Sequence, residues 1–508
     1  MSGMIVALST DTPAFANDIA DVIRLMLPGA SVRLTDAPEP GAASLRHTHK
    51  ESCGYWTEHC EYVESDSRAA LSWSTPAIVE NFADRCDAAA LADKRRRKRA
   101  AKQCCYWLLR NVTGRRPPWG SLTGIRPTRL YAEFESAGDV NPIRTLERLF
   151  DVRADKAKLL GEIADVQRPH IIYDANAFDI YVSIPYCITK CAYCAFHSEI
   201  IPKNISELDE YLDALHLEID AARRLVDARG LTVRAIYIGG GTPTALDARR
   251  LDALLARLER AFPHAVEWTV EAGRPDTIDS ERLRAIRSHR VTRVSVNPQT
   301  MNDATLRLIG RAHTSAQTLG AFELARATGF DNINMDCIAG LPGESVEDFV
   351  RTMEGIRSLN PESVTVHALA RKRASKLYDD PSFAPVDGRT AEGTEPSPQE
   401  QMILKGAEFS RSMGMSPYYL YRQKNMVGDL ENIGYAKPGA ICLYNLDMME
   451  ETTSVVALGA GAISKRVVRS ADGQIRITRS PNMMEPMLYA RRLDDMIARK
   501  ERLFDERH

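Results

Sequence analysis

Apolar and polar positions alternate in a regular rhythm through the middle of the chain. Short apolar runs predict strands at 180–184, 234–238, 267–271, 292–296, 332–338 and 363–368. Between them, apolar residues recur every three or four positions and predict helices at 205–228, 246–261, 279–287, 315–328 and 345–358. Six β-α repeats predict an α/β fold in which a parallel sheet, covered by helices on its outer face, winds into an incomplete barrel. Functional groups are expected at the carboxyl ends of its strands.

The sequence before and after this barrel has other patterns. The apolar runs 4–8 and 31–34 enclose helical spacing and predict a small β-α-β unit, and helical patterns continue over 77–113 and up to residue 166. Two segments have linker composition: 174–178 and 378–399. After them, helices are predicted near 399–413 and 484–503, and strands near 464–469 and 474–479. We therefore expect three domains: an N-terminal α/β and helical domain (1–175), the partial (β/α)6 barrel (176–378) and a C-terminal α+β domain (379–508).

Composition narrows the possible partners. The 508 residues include 66 basic and 68 acidic ones, for a net charge of -2, so no general attraction to nucleic acid is expected. The basic run 94–99 is interpreted as a solvated helix face. No apolar run of about 18 residues and no secretory pattern are seen, which predicts a cytoplasmic protein with no membrane partner. The ten cysteines are therefore not expected to form disulfides.

Three of these cysteines follow the first barrel strand. Cys187, Cys191 and Cys194 have the spacing C-x3-C-x2-C. Thiolates bind iron–sulfur clusters, and three thiolates leave one iron of a 4Fe–4S cluster open to a chelating molecule. The alternative is a zinc site with His197 as the fourth ligand, although structural zinc sites seldom have ligands so tightly bunched.

Polar or glycine-rich residues follow the other barrel strands too. A triple glycine, Gly239 to Gly241, follows the second strand and can bring a ligand close to the backbone. The later strands are followed or ended by short polar segments: Glu271–Asp276, Asn297–Thr300, Gly310–His313, Asn334–Asp336 and His367. Their succession on one rim of a barrel indicates a ligand site.

These motifs resemble one family. The cysteine spacing is similar to that of radical S-adenosylmethionine (SAM) enzymes. The triple glycine with Thr-Pro-Thr, the Gln after the fourth strand, Gly-Arg-x-His and Gly-Leu-Pro-Gly resemble the HemN-like group, the oxygen-independent coproporphyrinogen III oxidases. Three further segments resemble its HemZ branch: 118–127, 417–426 and 432–435. The resemblance implies oxidative decarboxylation of two propionates of coproporphyrinogen III, a step of haem biosynthesis.

The resemblance also implies roles for single residues. The three cysteines would bind the cluster, whose open iron binds SAM. Tyr181 and Arg311 would act at the reacting centre, and a second SAM is possible in this group. The other SAM contacts implied are Tyr193, Gly240, Gly241, Thr242, Glu271, Gln299, Arg311, Asp336, Ile338 and Ala368. A one-electron donor such as flavodoxin or ferredoxin is implied as a partner.

One departure from the family pattern leaves the substrate open. Family members that are oxidases have a further cysteine two residues after the third ligand, where this chain has Phe196. If the substrate is a porphyrinogen, cations must hold its carboxylates, and the candidates are Arg126, Arg371, Lys372, Arg373, Arg422 and Lys424. Two alternatives remain: a methyl- or carbon-transfer enzyme on another substrate, and a haem-binding chaperone with an axial ligand among His313, His367 and Tyr435.

Overall fold

The computed structural model describes residues 4–35, 42–53, 55–65, 67–76, 86–124, 126–370, 372, 374–378, 395–423, 427–470 and 475–505. Its N-terminal part is a five-stranded sheet with two helices. The strands are β1 (Ile5–Thr10), β2 (Ser31–Leu34), β3 (Ala43–Ser52), β4 (Tyr55–Glu64) and β5 (Ser67–Pro76), and the helices are α1 (Ala16–Met26) and α2 (Cys86–Thr113). The sheet order is β2-β1-β3-β4-β5, with β1 parallel to both of its neighbours. The predicted β-α-β unit is confirmed.

Strands β3, β4 and β5 are absent from the sequence prediction. Their inward positions are partly polar: His47 and Glu58 are both buried and joined by a 2.9 Å hydrogen bond between Nε2 and Oε2. Polar residues on the buried face break the apolar alternation by which a half-buried strand is recognised. The helix predicted at 77–113 is described from Cys86 onward, and 77–85 lie outside the described residues.

Three helices then lead to the barrel: α3 (Pro127–Ser136), α4 (Pro142–Phe150) and α5 (Ala154–Gln167). The barrel strands are β6 (Ala177–Ile184), β9 (Thr232–Gly240), β10 (Glu267–Val270), β11 (Arg293–Ser295), β12 (Ile333–Ala339) and β13 (Ser363–Ala368). A short pair, β7 (Tyr186–Cys187) and β8 (Glu199–Ile200), follows β6. The helices are α6 (Ile205–Arg229), α7 (Ala248–Ala261), α8 (Ser280–Arg287), α9 (Asp303–Leu308), α10 (Ser315–Ala327) and α11 (Val346–Leu359). Every predicted barrel strand and helix is confirmed, and the six strands are parallel in chain order.

The C-terminal part extends the barrel sheet at both edges. Its elements are α12 (Pro398–Ser412), β14 (Ser416–Tyr421), β15 (Asn432–Ala436), α13 (Leu443–Glu450), β16 (Ser454–Leu458), β17 (Ile463–Arg469), β18 (Ile475–Pro481), α14 (Pro486–Arg491) and α15 (Leu493–Asp505). β15 pairs antiparallel with β13, and β16 pairs parallel with β6, so one eleven-stranded sheet crosses the predicted boundary at 379. The division into three domains stays a prediction. β14, β15, β16 and α13 were not predicted, and 379–394 lie outside the described residues.

Helix α13 connects the two C-terminal extensions of the barrel sheet. It runs from β15, beside the last barrel strand, to β16, beside the first. Buried Glu267 of β10 accepts hydrogen bonds from the backbone N–H groups of Leu443 (2.8 Å) and Tyr444 (3.2 Å), the first residues of the helix. A carboxylate at a helix N-terminus satisfies N–H groups that lack helical partners. The Tyr444 ring stacks on Tyr237 of β9 at 4.6 Å, so this segment fills the interior of the barrel.

Two of the HemZ-like segments, 118–127 and 417–426, are held together by a group of residues that we call the clamp: Trp119, Leu122, Lys156, Arg422, Asp429 and Glu431. Trp119 donates its Nε1–H to Glu431 at 2.8 Å, and Lys156 donates to the same carboxylate at 2.5 Å. Arg422 lies over the Trp119 ring, 5.3 Å from its centroid, and donates to the backbone oxygen of Leu122. Segments about 300 residues apart in sequence are thereby fixed together. No helix in the described part of the chain is both long and apolar enough to span a membrane.

Candidate active site

The cysteine loop is held from three sides at the carboxyl end of the barrel. Cys187 lies in β7, and its Sγ is 3.5 Å from Thr242 Oγ1, in the turn after β9. Ala192 donates its backbone N–H to Ile309 at 2.9 Å, after α9. Arg274, after β10, donates to Cys191 Sγ at 3.7 Å. The loop is therefore positioned by residues from the connections that follow β9, β10 and β11.

The arrangement of these thiols fits a cluster better than a single zinc ion. His197 is exposed, and among the described residues no three His, Cys, Asp or Glu side chains converge on a point where one metal ion would bind. In a 4Fe–4S cluster each thiolate binds a separate iron, so its ligands need not converge. The thiols are nevertheless near neighbours: burial raises the pKa of Cys194, and the thiols of Cys191 and Cys187 raise it further.

The glycine turn packs against the cysteine loop. Gly240 has a φ of +107°, which side-chain-bearing residues rarely adopt. A Cβ on Gly241 would lie 2.5 Å from the backbone oxygen of Tyr186, and one on Gly240 would lie 2.9 Å from Ser183 Oγ. The sequence suggested that ligand approach requires these glycines. In the structure, contact with β6 and β7 already excludes a side chain, so their first effect is to bring Thr242 to Cys187.

Glu271 lies beside a column of aromatic rings. Tyr237 donates a hydrogen bond from its hydroxyl to Glu271, and its ring stacks on Tyr181 at 6.3 Å. Gly239 makes room for this pair, because a Cβ there would lie 2.8 Å from Glu271 Oε2. Burial raises the pKa of Glu271 to about 7, the Tyr237 hydrogen bond opposes that rise, and the negative charge of Asp336 adds to it. The carboxyl group can thus gain or lose a proton near neutral pH.

Arg311 is a buried cation without a carboxylate partner. It is 7 % exposed, and its terminal nitrogens donate to the backbone oxygens of Asn297 (2.8 Å) and Gly273 (3.2 Å) and to the Tyr193 hydroxyl (3.1 Å). Its Nε is buried without a hydrogen-bond acceptor, and no carboxylate lies within 4 Å of the guanidinium in the described part of the chain. Buried charges are normally paired. Arg311 is therefore a candidate to bind an anionic group of a ligand.

The remaining predicted SAM contacts lie at the ends of β11, β12 and β13. Gln299 is buried with a φ of +66°, and its backbone is held on both sides by hydrogen bonds to Asp336 and Ile338, each 2.9 Å. Strained backbone of this kind occurs often at ligand sites. Although burial disfavours the charged form, the hydrogen bond and charge of His367 lower the pKa of Asp336. Ala368 donates its N–H to Asn432 Oδ1 at 3.1 Å.

Two of the arginines predicted to bind substrate are used elsewhere. Arg126 forms an ion pair with buried Glu451, which also pairs with Arg129. Arg422, 4 % exposed, pairs with Asp429 within the clamp. Arg422 thus has a carboxylate of its own as partner, whereas Arg126 and Arg129 share the single carboxylate of Glu451. Arg371, Arg373 and Lys424 lie outside the described residues. Lys372 lies near the cysteine loop, with its Nζ 5.5 Å from the centroid of the exposed Phe196 ring.

The three candidate haem ligands have different surroundings. Tyr435 is 1 % exposed within β15, and burial raises its pKa above the usual range, so it does not face a ligand space. His313 is also buried, and among the described residues neither of its ring nitrogens has a hydrogen-bond partner. Burial, followed by the charge of Arg311, lowers the pKa of His313 to about 4 and keeps it neutral. His367 is partly exposed, 3.9 Å from Asp336 and within 3.3 Å of the Tyr421 hydroxyl.

Three residues of this region were missed in the sequence. Arg274 contacts a cluster cysteine, Tyr444 fills the barrel interior, and Asn432 fixes the end of β13. Arg274 and Asn432 lie within motifs that the sequence did single out, but their partners are 83 and 64 residues away. Tyr444 belongs to a helix with no clear apolar period.

The chain is similar to known proteins in sequence. Residues 181–356 match the Radical SAM superfamily. The chain is 37% identical to the oxygen-independent coproporphyrinogen-III oxidase-like protein HemZ of Bacillus subtilis, over 78% of this chain and 80% of that protein. It is 28% identical to the heme chaperone HemW of Haemophilus influenzae, over 61% of this chain and 75% of that one. The structure of coproporphyrinogen III oxidase (HemN) from Escherichia coli aligns with a TM-score of 0.47 and 22% identity, over 66% of this chain and 73% of that one.

Proposed function

Because this chain belongs to the HemN-like family of radical SAM proteins, we propose that it oxidatively decarboxylates two propionates of coproporphyrinogen III to give protoporphyrinogen IX. Cys187, Cys191 and Cys194 bind the 4Fe–4S cluster. The cluster and SAM, when bound, supply a carbon-centred radical that removes a hydrogen atom from the substrate. The surrounding residues bind and orient SAM and the substrate, and they exclude water from the site.

The observation that carries this proposal is the unpaired charge of Arg311. SAM offers a carboxylate and an ammonium group. A carboxylate near Arg311 would neutralise the guanidinium and occupy its free Nε–H, in a site where the neighbouring hydrogen bonds already fix its orientation.

Glu271 and Asp336 provide acceptors for the other polar groups of SAM. Their carboxylates can accept hydrogen bonds from ribose hydroxyls or from an ammonium group. Burial raises the pKa of Glu271 to about 7, and a cation bound beside the carboxyl group would favour its charged form. Ile338 packs with the Tyr193 ring in one apolar cluster, which suits the flat face of adenine.

Lys372 is the described cation best placed for a substrate carboxylate. It lies beside Phe196 and Cys194, and burial lowers its pKa although the Cys194 thiolate opposes that shift. A cation beside an aromatic ring suits a substrate that has carboxylates on a large apolar ring. Lys372→Ala should weaken binding of coproporphyrinogen and leave SAM cleavage without substrate unchanged.

The test is an anaerobic reaction of reconstituted protein with SAM, dithionite and coproporphyrinogen III, followed by mass spectrometry. The proposal expects 5′-deoxyadenosine together with tricarboxylic and dicarboxylic products. A product heavier by one carbon unit would favour methyl or carbon transfer. SAM cleavage with unchanged porphyrinogen, in the presence of a competent reductant, would refute decarboxylation.

A second candidate, haem binding, is favoured by two observations: Phe196 replaces the cysteine that family oxidases have, and His367 is a partly exposed histidine at the rim. A haem titration followed by absorbance spectroscopy tests it. His367→Ala should remove the spectral shift if His367 is the axial ligand, and the buried His313→Ala serves as a matched control. Absence of a saturable shift in the unmodified protein would exclude this candidate.

A further inference from the structure

Arg274 occupies a buried position between the barrel rim and the cysteine loop. It follows β10 within the segment Glu271–Asp276 and is only 3 % exposed. Its Nη1 donates to the backbone oxygen of Thr189 at 3.1 Å and to Cys191 Sγ at 3.7 Å. A guanidinium group is thus directed at the most buried of the three cysteines.

Asp276 holds this guanidinium in place. Its two carboxylate oxygens accept from Arg274 Nε at 3.1 Å and Nη2 at 2.9 Å, a two-bond ion pair in which both side chains are mostly buried. Such pairing fixes the plane of an arginine as well as its position. Because Nε and Nη2 are bound to Asp276, Nη1 remains free to face the cysteine loop.

We propose that Arg274 is a positioning residue that donates an N–H···S hydrogen bond to the cluster thiolate of Cys191 and raises the reduction potential of the cluster. The inference rests on Cys191 being a cluster ligand, as the proposed function has it. One-electron reduction, by a low-potential one-electron donor, adds a negative charge to the cluster. Hydrogen bonds to cluster sulfurs and nearby positive charge favour that added charge, especially where water is excluded.

The alternative is that Arg274 only ties Thr189 and Asp276 together. The two roles predict different behaviour of the cluster. A structural tie would affect how much iron is bound but not the potential of the clusters that form. A group that acts on the sulfur would shift the potential at constant iron content.

The measurement is the midpoint potential of the reconstituted full-length protein, obtained by electron paramagnetic resonance during an anaerobic titration without SAM or substrate. Arg274→Gln should make the reduction equilibrium roughly tenfold less favourable, which is 59 mV toward lower potential for one electron. Arg274→Lys retains the charge and should shift it less. Arg282→Gln is a matched control, because Arg282 also pairs with a nearby carboxylate, Asp279, and donates to a backbone oxygen, but contacts no cysteine.

Each result decides the matter. An unchanged midpoint at full iron content in Arg274→Gln would overturn the proposal. If Arg274→Gln loses its iron, the midpoint potential of Arg274→Lys is used in its place. Loss of iron in both variants would overturn the proposal and show that Arg274 is only a structural tie. Retention of the cluster by Cys191→Ala would instead refute the ligand assignment. The titration contains no porphyrinogen, so a wrong substrate assignment cannot affect its outcome.

Discussion

Arginines in the rim and in the clamp come from motifs that look equally functional in the sequence, but their surroundings differ. In the clamp, the charge of Arg422 is neutralised by Asp429. At the rim, Arg311 is equally buried and contacts only neutral oxygens among the described residues. The ion pair of Arg422 with Asp429 indicates a structural role, whereas Arg311, which forms no ion pair with a carboxylate of the described residues, is a candidate to bind an anionic ligand. The comparison therefore separates family motifs that build the fold from motifs that bind.

The largest effect is expected at the cysteine loop. Cys187→Ala should abolish iron and sulfide binding in anaerobically purified protein, because two thiolates no longer satisfy the site. Cys60→Ala, in the N-terminal sheet, removes a buried thiol distant in the chain from the loop and should leave the iron content unchanged. Stoichiometric zinc without labile sulfide in the unmodified protein would contradict the cluster assignment.

The clamp should respond in stability rather than in ligand binding. Arg422→Met removes one partner of a mostly buried ion pair and should lower the free energy of unfolding by about 3 kcal/mol. Its affinity for SAM should stay that of the unmodified protein, as measured by equilibrium binding at a temperature where both are folded. A large loss of SAM affinity with unchanged stability would place Arg422 in the ligand site and break the distinction.

A change at the rim should affect the binding of SAM. Arg311→Met removes a charge-assisted interaction with the SAM carboxylate, worth about 1.5–3 kcal/mol, so the Kd for SAM should rise by about ten- to a hundredfold. Arg311→Met also removes the hydrogen bonds to Asn297, Gly273 and Tyr193, so we expect the free energy of unfolding without ligand to fall by about 1–3 kcal/mol, and SAM affinity is compared at a temperature where both proteins are folded. Unchanged SAM affinity would show that the unpaired charge of Arg311 has another cause.

Glu271 gives a smaller, pH-dependent effect. Its pKa is about 7 in the folded protein against an ordinary 4.5, so the folded state loses stability relative to the unfolded state as pH rises from 4.5 to 7. Above pH 7, Glu271→Gln should therefore stabilise the folded protein by at most about 3 kcal/mol, which is measured as a higher melting temperature. Below pH 4.5 this gain should vanish. An equal shift at every pH would show that the substitution acts through packing.

The parts that could be predicted from sequence are those with local causes. The barrel strands are short segments rich in apolar residues, and the spacing of the three cysteines by itself indicates a cluster site. β3 to β5 were missed because His47 and Glu58 satisfy each other on the buried face. Arg422 was a candidate substrate ligand because nothing in the sequence shows that Asp429, seven residues away, pairs with it. Arg274 was missed for the same reason, since its contact with Cys191 exists only in the folded chain.

The most direct test of the central claim, that the rim binds SAM for radical chemistry, is the amount of 5′-deoxyadenosine formed under anaerobic reducing conditions. The reaction compares unmodified protein, Arg311→Met and Arg422→Met at equal cluster content and subsaturating SAM. We predict that 5′-deoxyadenosine formation falls at least tenfold in Arg311→Met and stays at the unmodified level in folded Arg422→Met. Equal rates in all three proteins, or no 5′-deoxyadenosine from any of them despite a reduced cluster, would contradict the account.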